Sequence, residues 1–209
     1  MTPASREPLL LAVLTVLALA WSACEPHDRL TWLLEVFPVI AGLIILAATW
    51  RRLRLTPLLY RLLFVHALIL IVGGHYTYAE VPLGRWVADL LGLARNHYDR
   101  LGHFAQGFVP AMLIRELLLR ASPLRPGKWL TTLVICAALA VSAAYELLEW
   151  AAALTLGQSA AAFLGTQGDA WDTQWDMFLA LCGAATALLT LSRLHDRALR
   201  RATTAPGPR

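Results

Sequence analysis

Three apolar segments of this chain carry a carboxylate at one end and an arginine or lysine at the other, at one fixed spacing. The two charged residues stand 21 positions apart in each segment, in the pairs Asp99 and Arg120, Lys128 and Glu149, and Asp172 and Arg193. At a rise of 1.5 Å per residue this spacing corresponds to about 31 Å of α-helix, close to the hydrocarbon thickness of a bilayer. The pattern predicts membrane-spanning helices whose carboxylates gather at one membrane face and whose cations gather at the other.

Composition supports a membrane protein. Hydrophobic residues make up 58% of the 209 residues and charged residues only 15%, whereas soluble domains carry about 25% charged residues. Six apolar stretches can be read as spans, at residues 9–23, 30–50, 57–74, 100–119, 130–149 and 174–192, of which the first is short for a span. We therefore predict an all-α bundle of about six transmembrane helices in a single domain, residues 1–195, followed by a disordered cytoplasmic tail, residues 196–209.

The distribution of basic residues predicts the orientation. Of the 18 lysines and arginines, all but Arg29, Arg85, Arg95 and Arg100 fall on the side of the predicted bundle that holds both termini. By the positive-inside rule, this side is cytoplasmic and the carboxylates lie at the outer face. The net charge of +4 then reflects membrane topology, so the predicted partner is the lipid bilayer and not nucleic acid. The sequence leaves the oligomeric state open.

Acidic residues and one histidine form the candidate site at the outer face. The candidate catalytic residues are Asp99, His103, Glu146, Asp172 and Asp176, and Glu149 joins them as a candidate metal ligand. The spacings i, i+4 and i, i+3 place Asp99 with His103, and Glu146 with Glu149, on single helical faces. Carboxylates inside a membrane are costly unless they are paired, protonated or bound to a cation.

A divalent metal ion is the one cofactor that these residues suggest. Carboxylate and imidazole ligands suit Mg, Mn, Ca or Zn, although the spacing matches neither a zinc motif nor an EF-hand loop. A hydrogen-bonded network with a shared proton would use the same residues. Arg100, His97 and His75 are candidate charge partners of the carboxylates. The further polar residues assigned to the site are His75, Tyr76, Glu80, His97, Arg100, Gln106, Asp169 and Gln174.

Four sequence strings resemble a known family. They are GGHYTYAEVPLG (73–84), NHYDRLGHFAQGF (96–108), YELLEW (145–150) and GTQGDAWDTQWDM (165–177). They resemble the YjdF-like family of bacterial inner-membrane proteins, over about residues 30–195. More distantly, D-R-x-x-H, a following intramembrane Glu and a final D-x-x-x-D resemble VanZ-like proteins, which more often carry lysine at the position of Arg100. The resemblance implies a multi-pass inner-membrane protein with a polar site, and it names no reaction.

Three functions are compatible with this sequence. The first is a metal-dependent enzyme that acts at the outer face on a lipid-linked or envelope substrate. The second is a structural or accessory membrane protein in which the polar residues hold the bundle together. The third is a proton or cation transporter, whose polar residues should continue to the inner face. Residues 106–115 and 130–145 are almost wholly apolar, which argues against a transport path through one copy of the chain.

Overall fold

The computed structural model describes residues 3–156 and 161–204, and these two ranges contain helices and no β-strand. The helices are α1 (Pro3–Ser22), α2 (Arg29–Thr49), α3 (Pro57–Tyr76), α4 (Pro82–Leu91), α5 (Tyr98–Ala121), α6 (Lys128–Leu156), α7 (Ala161–Leu164) and α8 (Asp172–Thr204). A short 3₁₀ helix, Tyr78–Glu80, lies between α3 and α4. The predicted all-helical fold is confirmed.

Capping residues explain where several helices begin. The Asp28 side chain accepts a hydrogen bond from the Thr31 amide (2.7 Å) at the start of α2, and Thr56 caps α3. Helix α4 begins at Pro82. Proline is tolerated at the first helical position because the amide that it lacks has no partner inside the helix there.

Six of the helices contain at least 20 residues, one for each predicted span. Four of them, α2, α3, α6 and α8, are long and apolar enough to cross a membrane. Helix α5 carries five charged residues, so composition does not identify it as a span. Large apolar side chains face outward, among them Ile44 and Leu189, which are 63% and 86% exposed. Such a surface is typical of contact with lipid.

Helix α5 lies at the centre of the bundle and contacts α3, α6 and α8, with the most extensive contact to α8. Glycines permit this close approach. A Cβ atom added to Gly107 of α5 would overlap the carbonyl oxygen of Ala180, and one added to Gly183 of α8 would overlap the carbonyl oxygen of Phe104. The two helix backbones are therefore in direct contact, which fixes the relative positions of the side chains that they carry.

Both ends of α8 extend beyond the predicted apolar stretch, residues 174–192. Helix α8 begins at Asp172, so Asp169 lies in the preceding turn and not on the same helical face as Asp172 and Asp176. Its side chain accepts a hydrogen bond from the Trp171 amide there (3.0 Å). At its other end α8 continues to Thr204, beyond the predicted domain end at residue 195. The last part of the predicted disordered tail, residues 205–209, lies outside the described residues.

Candidate functional site

His103 stands at the centre of a buried polar cluster formed by α5, α6 and α8. Its Nε2 atom lies 3.5 Å from Asp99 Oδ1 and 3.8 Å from Asp176 Oδ2, and its Nδ1 atom lies 3.7 Å from Glu146 Oε1. All four residues are at least nine-tenths buried. The structure thus brings together four of the five candidate catalytic residues. We call Asp99, His103, Glu146, Glu149 and Asp176 the His103 cluster.

The cluster contains two overlapping sets of potential metal ligands. Asp99, His103 and Asp176 form one set, His103, Glu146 and Glu149 form the other, and the ligand atoms of each set lie within 4.8 Å of one another. Ligand atoms bound to one ion at about 2.0–2.6 Å are separated by distances of this order. His103 belongs to both sets, so an ion held by either set would have one imidazole ligand and ligands from two helices, α5 and α8 for the first set and α5 and α6 for the second.

Several buried atoms of this cluster have no hydrogen-bond partner among the described residues. They are His103 Nδ1, Glu146 Oε1 and Asp176 Oδ1. The contacts around His103 are longer than the roughly 2.7–3.2 Å of a typical protein hydrogen bond. Buried polar atoms are usually satisfied by a partner, by water or by an ion. The geometry therefore leaves room for a group that the protein side chains do not supply.

Arg95 and Arg100 neutralise the carboxylates at the edge of the cluster. Arg95 NH1 donates to Asp172 Oδ1 (2.6 Å) and Asp169 Oδ2 (3.3 Å), and Arg100 NH2 donates to Asp169 Oδ2 (3.0 Å). Asp172, which was predicted as a metal ligand, is thus paired with Arg95 and belongs to neither ligand set. The sequence analysis did not assign Arg95 to the site.

Asn96 holds this loop in place. Its side-chain amide donates to the carbonyl oxygens of Ala79 (3.1 Å) and Val81 (3.0 Å), and its Oδ1 accepts from the Tyr98 amide (3.0 Å). Its own backbone exchanges two hydrogen bonds with the Gln167 side chain. Asn96 thereby connects the loops that precede α4, α5 and α8, and it positions Arg95 at the cluster.

Glu35 of α2 is a second residue that the sequence analysis did not assign to the site. It is 5% exposed, and its Oε2 atom accepts a weak hydrogen bond from the hydroxyl of Tyr145 (3.4 Å). Tyr145 precedes Glu146 on α6, so this contact connects α2 to the helix that carries the cluster. Glu35 is a charged residue within an apolar stretch, and this position could have identified it from the sequence as a candidate site residue.

The remaining predicted polar residues lie elsewhere. His75 Nδ1 contacts the carbonyl oxygen of Ser22 (3.0 Å) and its ring packs edge-on against Tyr76, away from His103. Glu80 forms an exposed ion pair with Arg85, and Gln174 is exposed. Gln106 is half-buried one turn beyond His103 on α5.

His97 is the residue just before α5, and its side chain makes no capping hydrogen bond. Partial burial lowers the pKa of its imidazole, and the neighbouring Arg100 and Arg95 lower it further. His97 is therefore mainly uncharged near neutral pH. Of the three predicted charge partners, only Arg100 pairs with an acid of the site.

The opposite end of the bundle holds a second buried cluster, which the sequence analysis missed. Glu116 and His195 are both 0% exposed. Glu116 accepts four hydrogen bonds, from Thr56 N (3.0 Å), Thr56 Oγ1 (2.8 Å), Arg120 NH1 (2.9 Å) and His195 Nε2 (2.9 Å). We call Thr56, Arg115, Glu116, Arg120, His195 and Asp196 the Glu116 cluster.

The hydrogen bonds of the Glu116 cluster assign the tautomer of His195. Arg115 NH1 contacts His195 Nδ1 at 2.8 Å, and Arg115 NH2 donates to Asp196 (2.7 Å). A guanidinium can only donate, so Nδ1 is the acceptor and the ring proton is on Nε2, which donates to Glu116. Each of these side chains has a partner. The Glu116 cluster therefore needs no further ligand, in contrast to the His103 cluster.

Comparison with known proteins identifies the family. The family described as "Predicted membrane protein (DUF2238)" matches residues 7–197. The chain is 57% identical over 198 residues to the inner membrane protein YjdF of Escherichia coli (strain K12), an alignment that covers 93% of this chain and 95% of the relative. No solved structure matches the chain. The predicted location, the bacterial inner membrane, is therefore confirmed, and the chain belongs to the DUF2238 family of predicted membrane proteins.

Proposed function

We propose that this protein binds a divalent cation at the His103 cluster and uses it at the outer face of the inner membrane. The observation that carries the proposal is the set of buried, unpartnered atoms on His103, Glu146 and Asp176. Oxygen atoms from carboxylates together with one imidazole are a ligand set suited to Mn²⁺ or Zn²⁺.

The charge balance supports a cation. Two arginines, Arg95 and Arg100, lie among six carboxylates, namely Asp99, Glu146, Glu149, Asp169, Asp172 and Asp176. Their hydrogen bonds go to Asp169 and Asp172. The carboxylates around His103 are left with an excess of negative charge inside a buried site. Such groups stay ionised together only when a cation or bound protons compensate them.

Purified wild-type protein is expected to contain about one divalent metal ion per chain by elemental analysis. Asp176→Asn should lose the ion because it removes one anionic ligand. Chelation should lower the melting temperature of the wild type, since a ligand present at 100 times its Kd contributes about 3 kcal/mol. The matched control is Asp89→Asn, which changes an exposed aspartate of α4 and should keep the metal and the response to chelator.

The proposal would be refuted by a wild type that contains no metal ion and whose melting temperature does not change on addition of the chelator. If Asp176→Asn were then as stable as the wild type, the His103 cluster would be a network held by shared protons and by Arg95. That result would favour the structural function over the metal-dependent one.

We further propose that all six long helices cross the membrane, with both termini in the cytoplasm and the His103 cluster near the outer face. The distribution of lysine and arginine supports this orientation. A reporter that is active only in the cytoplasm should be active after Arg209 and inactive after Gly92, which is exposed at the end of α4 with open space around it. The reverse pattern would move the cluster to the cytoplasmic face.

A lipid-linked or envelope substrate is the proposed target of the site. Helix α4 exposes Leu83, Trp86 and Leu90 (59–68%), as a helix at a membrane interface does. A polar cavity of about 300 Å³ lies beside it, lined by Arg85, Asp89, Asn96 and Gln167, and it shares Arg95 with the cluster. This arrangement would suit a polar headgroup next to a bound metal ion.

Envelope lipid extracts incubated with the metal-loaded protein should therefore show a change in lipid species by mass spectrometry. The change should be absent with chelator and with Asp176→Asn. Metal binding without any such change would leave the cation in a structural role and refute the enzymatic part of the proposal.

A further inference from the structure

A second cavity, of about 470 Å³, lies between α1 and α2, on the side of the bundle away from α6 and α8. Both helices pack against α3, and residues of α3 and α5 form the floor of the cavity. Leu9 on its wall is 48% exposed, so the cavity is a groove that opens to the outside of the bundle. We call it the α1/α2 groove.

Prolines are a recurring feature of this groove. Pro8 of α1, Pro38 of α2 and Pro110 of α5 all line it, and each lies inside its helix. A proline within a helix removes one backbone hydrogen bond and bends the helix. The carbonyl oxygen of Leu34, which Pro38 leaves without its helical partner, lies 3.5 Å from the Tyr145 hydroxyl.

The chemistry of the groove suits a hydrocarbon chain. Its lining is mostly leucine, alanine, valine and proline, and the hydroxyl of Thr15 already donates to the carbonyl oxygen of Leu11 (2.8 Å). The lining on α3 runs from Tyr60 to Leu70, ten residues or about 15 Å of helix, which is half the hydrocarbon thickness of a bilayer. The groove therefore extends through one leaflet.

Positive charge lies at the end of the groove where that leaflet meets water. Trp50 and Tyr60 line this end, and the Arg54 guanidinium stacks over the Trp50 ring at 4.9 Å. Arg51 and Arg52 are exposed in the same turn. Arginines beside a lipid-facing groove attract anionic headgroups.

We propose that the α1/α2 groove binds one anionic phospholipid. One acyl chain occupies the groove, and the phosphate lies among Arg51, Arg52 and Arg54. The proposal depends on neither the metal site nor the orientation of the protein, because it rests on the apolar lining, the length of the groove and the charge at its end.

The test compares two phospholipids with identical acyl chains, phosphatidylglycerol and phosphatidylcholine, by native mass spectrometry of the delipidated full-length protein. The wild type should prefer phosphatidylglycerol, and Arg51→Gln with Arg52→Gln should reduce this preference by about fivefold for each arginine. Arg125→Gln, at an exposed position of the loop after α5, should keep the preference.

Filling the groove should abolish the binding. Gly42 lines the groove and has no atom within 4 Å of an added Cβ, so Gly42→Trp should place its ring in the space for the acyl chain. Ala48→Trp adds the same ring to an exposed position of α2 that does not line the groove. This variant should bind phosphatidylglycerol as the wild type does.

Three outcomes would overturn the proposal. One is equal binding of the two lipids by the wild type. Another is unchanged phosphatidylglycerol binding in the arginine double variant, which changes only exposed residues and does not depend on the folding of Gly42→Trp. The third is a different occupant of the groove, namely a second copy of the chain.

Discussion

Gly107→Ala is expected to lower the free energy of unfolding by about 3 kcal/mol, at the upper end of the range for overpacked interiors. The added methyl group would overlap the backbone carbonyl of Ala180. A backbone cannot move aside as a flexible side chain can, so α5 and α8 must separate. Because α5 carries Asp99 and His103 and α8 carries Asp176, the separation should also weaken metal binding. Chemical unfolding in detergent, followed by circular dichroism, measures the change.

Gly42→Ala is the matched control for this variant. It adds the same methyl group to a helical glycine that has open space at its Cβ position. Alanine is favoured over glycine in a helix by up to about 1 kcal/mol, so this variant should be as stable as the wild type or slightly more stable. Equal stability of both variants would show that α5 and α8 are not in backbone contact.

Glu116→Leu is expected to cost about 3–5 kcal/mol, the typical range when one partner of a buried charged group is removed. Leucine cannot accept the hydrogen bonds that Thr56, Arg120 and His195 now donate to Glu116. Three helices meet at this carboxylate, since Thr56 caps α3, Glu116 lies on α5 and His195 lies on α8. In this variant, the ends of α3, α5 and α8 that meet at Glu116 should therefore become less stable together. The same unfolding measurement reports the loss.

Glu7→Leu provides the comparison. Glu7 also pairs with an arginine, Arg61, but the two side chains are 40% and 64% exposed. Exposed ion pairs contribute roughly 0–1 kcal/mol, so this variant should unfold nearly as the wild type does. If the two substitutions had equal effects, the Glu116 cluster would be open to water rather than buried.

The positions of the helices were predictable because hydropathy reports them directly. The stretch 57–74 became α3 (Pro57–Tyr76), and 130–149 lies within α6 (Lys128–Leu156). The shared depth of His103, Glu146 and Asp176 followed from the constant rise of a helix. That argument gives height along the membrane normal, and the contact between these side chains also requires their helices to be neighbours.

The residues that the sequence analysis missed depend on rotation and on loops, which hydropathy does not report. Arg115 was counted as one of many basic residues at a helix end, although it is buried against His195. His195 was the last residue of the predicted domain, although α8 continues beyond it. Arg95 reaches Asp172 because Asn96 fixes the loop through hydrogen bonds to distant backbone atoms. No periodic pattern encodes such contacts.

The two polar clusters are separated by a layer of apolar side chains in the middle of α5, α6 and α8. Val109, Ala111, Met112, Val134 and Ala184 are each less than 5% exposed. A layer of this kind is an electrical insulator, and in the proposed membrane-spanning arrangement most of the voltage across the membrane falls within it. In this arrangement, the proposed cation at the His103 cluster would stay on one side of that voltage drop, so its affinity should depend little on the membrane potential. The folded bundle should likewise leave the membrane's resistance to ion leakage intact.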